Sequence, residues 1–225
     1  MSGVAVAVEG AAAAYDGAPV LTDVSFSVAP GQSVCVLGPN GGGKTTLFRL
    51  LLGQLDPVTG TLELSGRPAY VAQTERTRLD FPVTALDVAV MGTLARGRWW
   101  LPPSRSDHGA AQRALLARAL VQDAPVLLLD EPLSGVDPAS ATLITALFRE
   151  LGAEGRTLLV ASHDVESARS FDLVLCLNRR QVAFGPPTAT LDRTTLQATY
   201  GHELIVLEGG GGAVTVHHHE HGHEH

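Results

Sequence analysis

Nine consecutive residues, Gly38-Pro39-Asn40-Gly41-Gly42-Gly43-Lys44-Thr45-Thr46, follow the spacing G-x-x-x-x-G-K-T, and the chemistry of that spacing is the binding of a polyphosphate. Glycines let a backbone close around phosphate without Cβ clashes. Successive N–H groups at a helix N-terminus then supply partial positive charge. Lys44 is placed to neutralise β- and γ-phosphates, and the Thr45 hydroxyl is a hard oxygen ligand for Mg²⁺. Gly38, Asn40, Gly41, Gly42, Gly43, Lys44, Thr45 and Thr46 are therefore the candidate nucleotide-binding residues.

A second constellation lies downstream. Val126-Leu127-Leu128-Leu129 is an apolar run ending in Asp130-Glu131, two carboxylates at the C-terminal end of a buried parallel-type strand, where ligands of open α/β sheets bind. Asp130 suits the Mg²⁺ shell, and Glu131 suits a general base for an attacking water, a role worth roughly 10²–10⁴-fold in rate. A further apolar strand, Thr157-Leu158-Leu159-Val160-Ala161, ends in Ser162-His163-Asp164. A lone histidine is more often structural, but His163 ends a strand beside the carboxylate pair and within reach of a γ-phosphate.

The elements that must position these residues alternate in type. Ser33–Leu37 reads as a strand and Thr45–Leu52 as a helix, flanking the glycine loop. Residues 4–8, 24–28 and 61–64 read as short strands between Gly/Pro turns. Ala14-Tyr15-Asp16-Gly17 reads as a loop in which Tyr15 is either a half-buried aromatic or a stacking partner for adenine. Ala69–Gln73 is a strand ending in an amide, and Thr84 caps a helix that stops near Gly92. The basic, aromatic stretch 96–103 reads as a protein-contact loop, and Ala110 to Val121 as a helix. Leu133–Pro138 is a turn and 139–152 a helix. The alternation after residue 33 predicts a mainly parallel sheet covered on both faces.

Composition limits the partners. With 225 residues, 45% of them hydrophobic, the chain has enough apolar mass for one domain with a lobe. Its net charge of −7 argues against nucleic acid. Cys35 and Cys176 sit in apolar runs, as buried free thiols of a reducing cytosol do. The start of the chain has no basic leader, and no apolar run approaches the ~20 residues of a membrane span, so a membrane role must come through a partner. After Gly209–Gly212 the chain ends in His217, His218, His219, His221, His223 and His225 with interleaved carboxylates, a ligand set suited to Zn²⁺. Glu and Gly interrupt the run, unlike a purification tag, so it reads as a native metal-binding tail.

Taken together, these residues resemble the nucleotide-binding subunit of an ATP-binding cassette (ABC) transporter over nearly the whole chain. Gly38–Thr46 matches the Walker A loop, Gln73 the glutamine loop, and Val126–Glu131 the Walker B strand with its catalytic glutamate. Ser134–Asp137 matches the D-loop, His163 the switch histidine, and Tyr15 the adenine-stacking aromatic. Asp80–Gly92 looks like the zinc/manganese importer branch, in agreement with the tail. The resemblance implies an α/β fold of the P-loop NTPase type: a mainly parallel central sheet, an N-terminal antiparallel β subdomain and a helical subdomain. The nucleotide-binding domain would cover residues 1–208, with the helical subdomain at about 80–121, followed by the linker and tail at 209–225. It further implies ATP with Mg²⁺ held by Thr45, Gln73 and Asp130, and catalysis by Glu131, His163 and Gln73. The chain would act at the cytoplasmic face of the membrane, pair with a second copy, dock on an integral membrane permease, and be served indirectly by a metal-binding solute-binding protein.

One family motif has no match. The signature Leu-Ser-Gly-Gly-Gln belongs shortly before Ala117-Arg118-Ala119-Leu120, whereas Leu133-Ser134-Gly135 follows Walker B and belongs to the D-loop. The stretch Ala110–Leu120 reads as two helices joined in frame with the segment between them lost, so the helical subdomain is expected to be shortened. Three readings follow: a metal-importer ATPase, an ATP-binding module that occupies a permease without turnover, and a zinc buffer acting through the tail, which leaves the ATP motifs unexplained.

Overall fold

A computed structural model describes residues 3–71, 124–201, 204–206 and 213–215. The chain opens with an antiparallel hairpin, β1 (Val6–Tyr15) and β2 (Ala18–Val28), followed by β3 (Ser33–Leu37) and helix α1 (Lys44–Leu51). Strands β4 (Thr59–Leu64), β5 (Ala69–Val71) and β6 (Val126–Asp130) lead to helix α2 (Pro138–Ala153) and strand β7 (Thr157–Ser162). Then come α3 (Val165–Ala168), β8 (Leu173–Leu177), β9 (Gln181–Gly185), α4 (Pro187–Thr190) and α5 (Arg193–Tyr200). A ribbon of β10 (Leu204–Val206) and β11 (Ala213–Thr215) pairs antiparallel on either side of residues 209–212.

Two sheets carry the domain. A six-stranded sheet has the order β5-β6-β7-β3-β8-β9, and a three-stranded sheet the order β2-β1-β4. All neighbours in the larger sheet are parallel except β9, which runs antiparallel to β8. The smaller sheet is antiparallel throughout. The P-loop NTPase architecture expected from the sequence is thus present, with its antiparallel β subdomain. The segment expected to form the helical subdomain, about 80–121, lies outside the described residues, as do Gln73, Trp99, Trp100 and the six tail histidines.

Strand β6 shows why the large sheet reads as continuous apolar runs. All five of its residues are buried. Val126 and Leu128 pack toward the antiparallel sheet and α1, while Leu127 and Leu129 pack toward α2 through Ile144, Phe148 and Leu151. Burial on both faces removes the polar alternation that a one-sided strand would show. Each such leucine contributes about 1.5–3 kcal/mol. A third cluster joins Cys35, Leu37, Val174 and Cys176 to Val165, Leu196 and Tyr200 on α3 and α5. Both cysteines are free and buried, as expected, and burial pushes the Cys176 thiol up to about 11 and Cys35 further still.

The helices start where their caps dictate. Asp137 accepts from Ser140 N–H with Pro138 in the first turn of α2, and Asp192 accepts from the Thr194 and Thr195 N–H groups at α5. One local expectation needs correction. Residues 14–17 are not a loop: Tyr15 ends β1, pairs with Ala18, and only Asp16-Gly17 turn the chain. Alanines 11–14 have weak strand propensity, but β1 is paired on both sides, and two ladders outweigh intrinsic preference.

Candidate functional site

Three neighbouring strands, β6, β7 and β3, deliver the sequence-identified residues to one edge of the sheet. The register aligns Asp130 with Ala161, and Val36 and Leu37 with Ala161 and Ser162. The glycine loop after β3, the carboxylates ending β6 and His163 after β7 therefore stand side by side at carboxyl ends, where an open parallel sheet places its ligands.

The glycine loop is fixed by close approach. A Cβ on Gly38 would lie 2.2 Å from the Leu177 carbonyl oxygen, so only glycine fits between β3 and β8. Gly43 caps α1 at φ 100°, a left-handed conformation that glycine adopts without strain. Gly42 N–H donates to Pro39 O at 3.0 Å, and Arg179 N–H donates to Gly42 O at 2.9 Å. Arg179 O in turn accepts from Thr22 N–H, so the β8–β9 turn buttresses the loop against β2.

Lys44 is 7% exposed, and its ammonium donates to Gly38 O at 2.6 Å and Pro39 O at 3.2 Å. Burial lowers its pKa, while the carboxylates of Glu131 and Asp130 pull the other way. Thr45 Oγ1 donates to Asp130 Oδ2 at 3.2 Å, and Thr46 is buried in the first turn of α1. Asn40, Gly41, Gly43, Lys44 and Thr45 line a cavity of about 160 Å³ that Asp130 and Glu131 close from the strand side. Its lining supplies the Lys44 ammonium, two carboxylates, hydroxyls and loop backbone, a set that fits a polyphosphate with a hard divalent cation.

Glu131 sits at φ 48°, uncommon for a residue with a side chain, and its N–H donates to Ala161 O at 3.1 Å. This geometry turns the carboxylate off the line of β6 toward His163, whose Nδ1 faces Glu131 Oε2 at 3.4 Å. That contact raises the His163 pKa, burial opposes it, and the neighbouring Asp164 adds to the rise. Both residues also line a cleft of about 360 Å³ with Leu133, Ser134 and Phe171.

Tyr15 stands apart on the antiparallel sheet, with Arg49 Nη1 donating to its hydroxyl at 3.2 Å and the guanidinium 5.9 Å from the ring centroid. The loop cavity also receives Val20 from β2, the strand paired with Tyr15's. Two contacts were invisible to sequence reasoning. Tyr70 Oη donates to Asp130 Oδ2 at 3.2 Å, and the Arg179 turn holds the glycine loop. The first could have been found only by aligning β5 with β6 residue by residue, which needs their pairing.

A glycine loop between strand and helix, with a carboxylate pair ending a parallel strand one position further along the same sheet, defines a P-loop nucleotide-binding domain. The chain matches the ABC transporter family model over residues 21–95. It is 35% identical over 229 positions to the manganese transport system ATP-binding protein MntB of Bacillus subtilis (strain 168), covering 87% of this chain and 92% of that protein. It is 36% identical over 234 positions to the zinc transport system ATP-binding protein TroB of Treponema pallidum (strain Nichols), covering 89% and 88%. A chain of an ABC transporter solved in an inward-facing conformation superposes with a TM-score of 0.73 at 24% identity, over 95% of this chain and 98% of that one. The chain belongs to the ATP-binding subunits of ABC transporters. The alignment of 229 positions with the Bacillus subtilis protein takes in 87% of 225 residues, about 196, and so leaves about 33 positions (229 − 196) without a counterpart here.

Proposed function

We propose that this chain is the ATPase subunit of a manganese or zinc importer, docked on a membrane permease and working as a pair of nucleotide-binding subunits. The observation that carries the reading is the convergence of Lys44, Thr45, Asp130, Glu131 and His163 at the ends of three adjacent strands. Similarity along most of the chain to manganese and zinc systems supports the cargo. Among the described residues no helix is long and apolar enough to cross a membrane.

In this reading the loop N–H groups and Lys44 bind the β- and γ-phosphates, and Tyr15 stacks on the adenine with Arg49 beside it. Thr45 and Asp130, with Gln73 from the sequence pattern, would hold Mg²⁺, which neutralises phosphate charge when bound. Glu131 orients a water and takes its proton as the water oxygen attacks the γ-phosphorus. The bond from that phosphorus to the β–γ bridging oxygen breaks, releasing ADP and phosphate. His163, held by Glu131, reaches toward the γ-phosphate. Gln73 couples nucleotide state to the permease.

The sequence supports a second reading, in which the chain binds ATP with little turnover. No Leu-Ser-Gly-Gly-Gln lies between Gln73 and Asp130, and the relatives carry positions that this chain lacks. The donors that one subunit's signature offers its partner's γ-phosphate are typically worth several kcal/mol each. Calorimetry and a steady-state ATPase assay, with and without permease, separate these readings. Mg-ATP binding that Lys44→Ala weakens on the order of 100-fold is expected in both, from ~3 kcal/mol of lost charge-assisted contact. Equal affinity of variant and parent would remove the nucleotide assignment. Robust hydrolysis abolished by Glu131→Gln would favour the first reading over the second. The histidine tail is proposed to bind Zn²⁺ through neutral imidazoles, and unchanged zinc stoichiometry after deletion of residues 217–225 would refute that.

A further inference from the structure

Asp130 is 4% exposed and gripped from two sides: Thr45 Oγ1 and Tyr70 Oη both donate to Oδ2, each at 3.2 Å. Tyr70 reaches it because β5 and β6 are parallel and in register. Its partner is Leu128, two residues before Asp130 on the same strand face, a rise of about 6.6 Å that a phenol spans. The ring is held as well as the hydroxyl. Phe48 of α1, fully buried, meets it edge-on with centroids 6.3 Å apart and planes at 80°. Tyr70 is thus wedged between the helix that opens with the phosphate loop and the strand that carries the carboxylate. Burial, then the Asp130 charge, pushes its hydroxyl above the ordinary range, so it stays a donor.

The two donors are not equivalent. Thr45 lies in the phosphate loop, and its oxygen is the one expected to turn to a cation beside ATP. Tyr70 approaches from the sheet, away from the loop, and its contact is compatible with a filled site. A carboxylate this buried needs a lasting donor, because a buried oxygen left without a hydrogen-bond partner is costly. We propose that Tyr70 is a positioning residue for nucleotide-linked Mg²⁺: its hydroxyl holds Asp130 in the orientation that an ion shared with Thr45 requires. The assignment rests on the nucleotide-binding reading given above.

The test measures ATP affinity of the full chain by calorimetry in Mg²⁺ and again in EDTA, for parent, Tyr70→Phe and Lys44→Ala. Phenylalanine keeps the ring against Phe48 and removes only the donor. Tyr70→Phe is expected to weaken Mg-ATP on the order of tenfold and metal-free ATP less than about twofold. With Mn²⁺ in place of Mg²⁺, the electron paramagnetic resonance spectrum of the ATP-bound ion should broaden or split differently in the variant. Lys44→Ala should weaken both forms of ATP. Equal losses with and without metal would mark Tyr70 as merely structural and overturn the proposal, as would no loss at all. A parent chain that binds no Mg-ATP would overturn both this proposal and the nucleotide-binding reading.

Discussion

The six-stranded and three-stranded sheets face each other across one core but are built on different terms. In the parallel sheet, β6 and the inner residues of β3, β7 and β8 are buried on both faces, and the groups proposed for phosphate chemistry stand at strand ends. The antiparallel sheet is half-wetted. In β2 the order from Leu21 to Val28 runs between buried and exposed positions, and β4 has no fully buried residue. The residue proposed to stack on adenine, Tyr15, lies at the tip of a hairpin with an exposed arginine as its neighbour. The difference teaches where precision is needed. Charge neutralisation and water activation demand fixed distances and water exclusion, which strand ends in a doubly covered sheet supply. Stacking on a base tolerates a looser support.

The sharpest way to break this comparison is to delete equivalent mass from each sheet. Leu128 is fully buried in the cluster that includes α1, whereas Leu62 on β4 is only partly buried. Leu128→Ala should cost about 2–5 kcal/mol of stability, and Leu62→Ala about 1 kcal/mol. Urea denaturation at constant m-value measures both. The Leu128 variant should also lose Mg-ATP affinity, because Leu128 stands opposite Tyr70 in the ladder that sets the Asp130 contact. Equal costs in the two sheets would show that the antiparallel sheet is no softer a support.

The same contrast explains what the sequence made legible. The glycine loop is contiguous, so its spacing alone implies its geometry, and Asp130-Glu131 ends an apolar run whose length marks a two-face-buried strand. His163 follows a second such run. All three came together because parallel strands in one sheet end on one side. The extent of β1 was not legible, since Gly10 and the alanines after it gain strand character only from the two ladders they join. Nor was the left-handed turn at Glu131, which depends on its N–H reaching Ala161 of a strand thirty positions away. Tyr70 and Arg49 were opaque for a related reason. Each acts on a residue far along the chain, Tyr70 through register and Arg49 through the way α1 packs beneath the hairpin.

The smallest effect concerns the contact between His163 and Glu131. His163 Nδ1 meets Glu131 Oε2 at 3.4 Å, with the His163 side chain 36% and that of Glu131 9% exposed. The hydrogen bond to Glu131 raises the folded-state pKa above the ordinary value of about 6.5, against the opposing pull of burial and of Lys44. A raised folded value means that the protonated form is favoured by folding. The stabilisation is therefore complete below about pH 6.5 and is lost as pH rises through the folded value. Thermal unfolding of parent and His163→Gln between about pH 5 and pH 9 should show the parent's advantage greatest at the acidic end and fading toward the alkaline end. The exposure of the imidazole keeps the effect small, and salt should reduce it further. Glu131→Gln should shrink the same pH dependence, since the amide removes the nearest charge for the imidazolium to meet and leaves only the weaker pull of Asp164. A parent advantage that instead grows with pH would mean that the histidine is held neutral in the fold. The contact would then be a hydrogen bond from an uncharged ring, and the strand-end cluster would lack the ion pair that distinguishes it from the hairpin side.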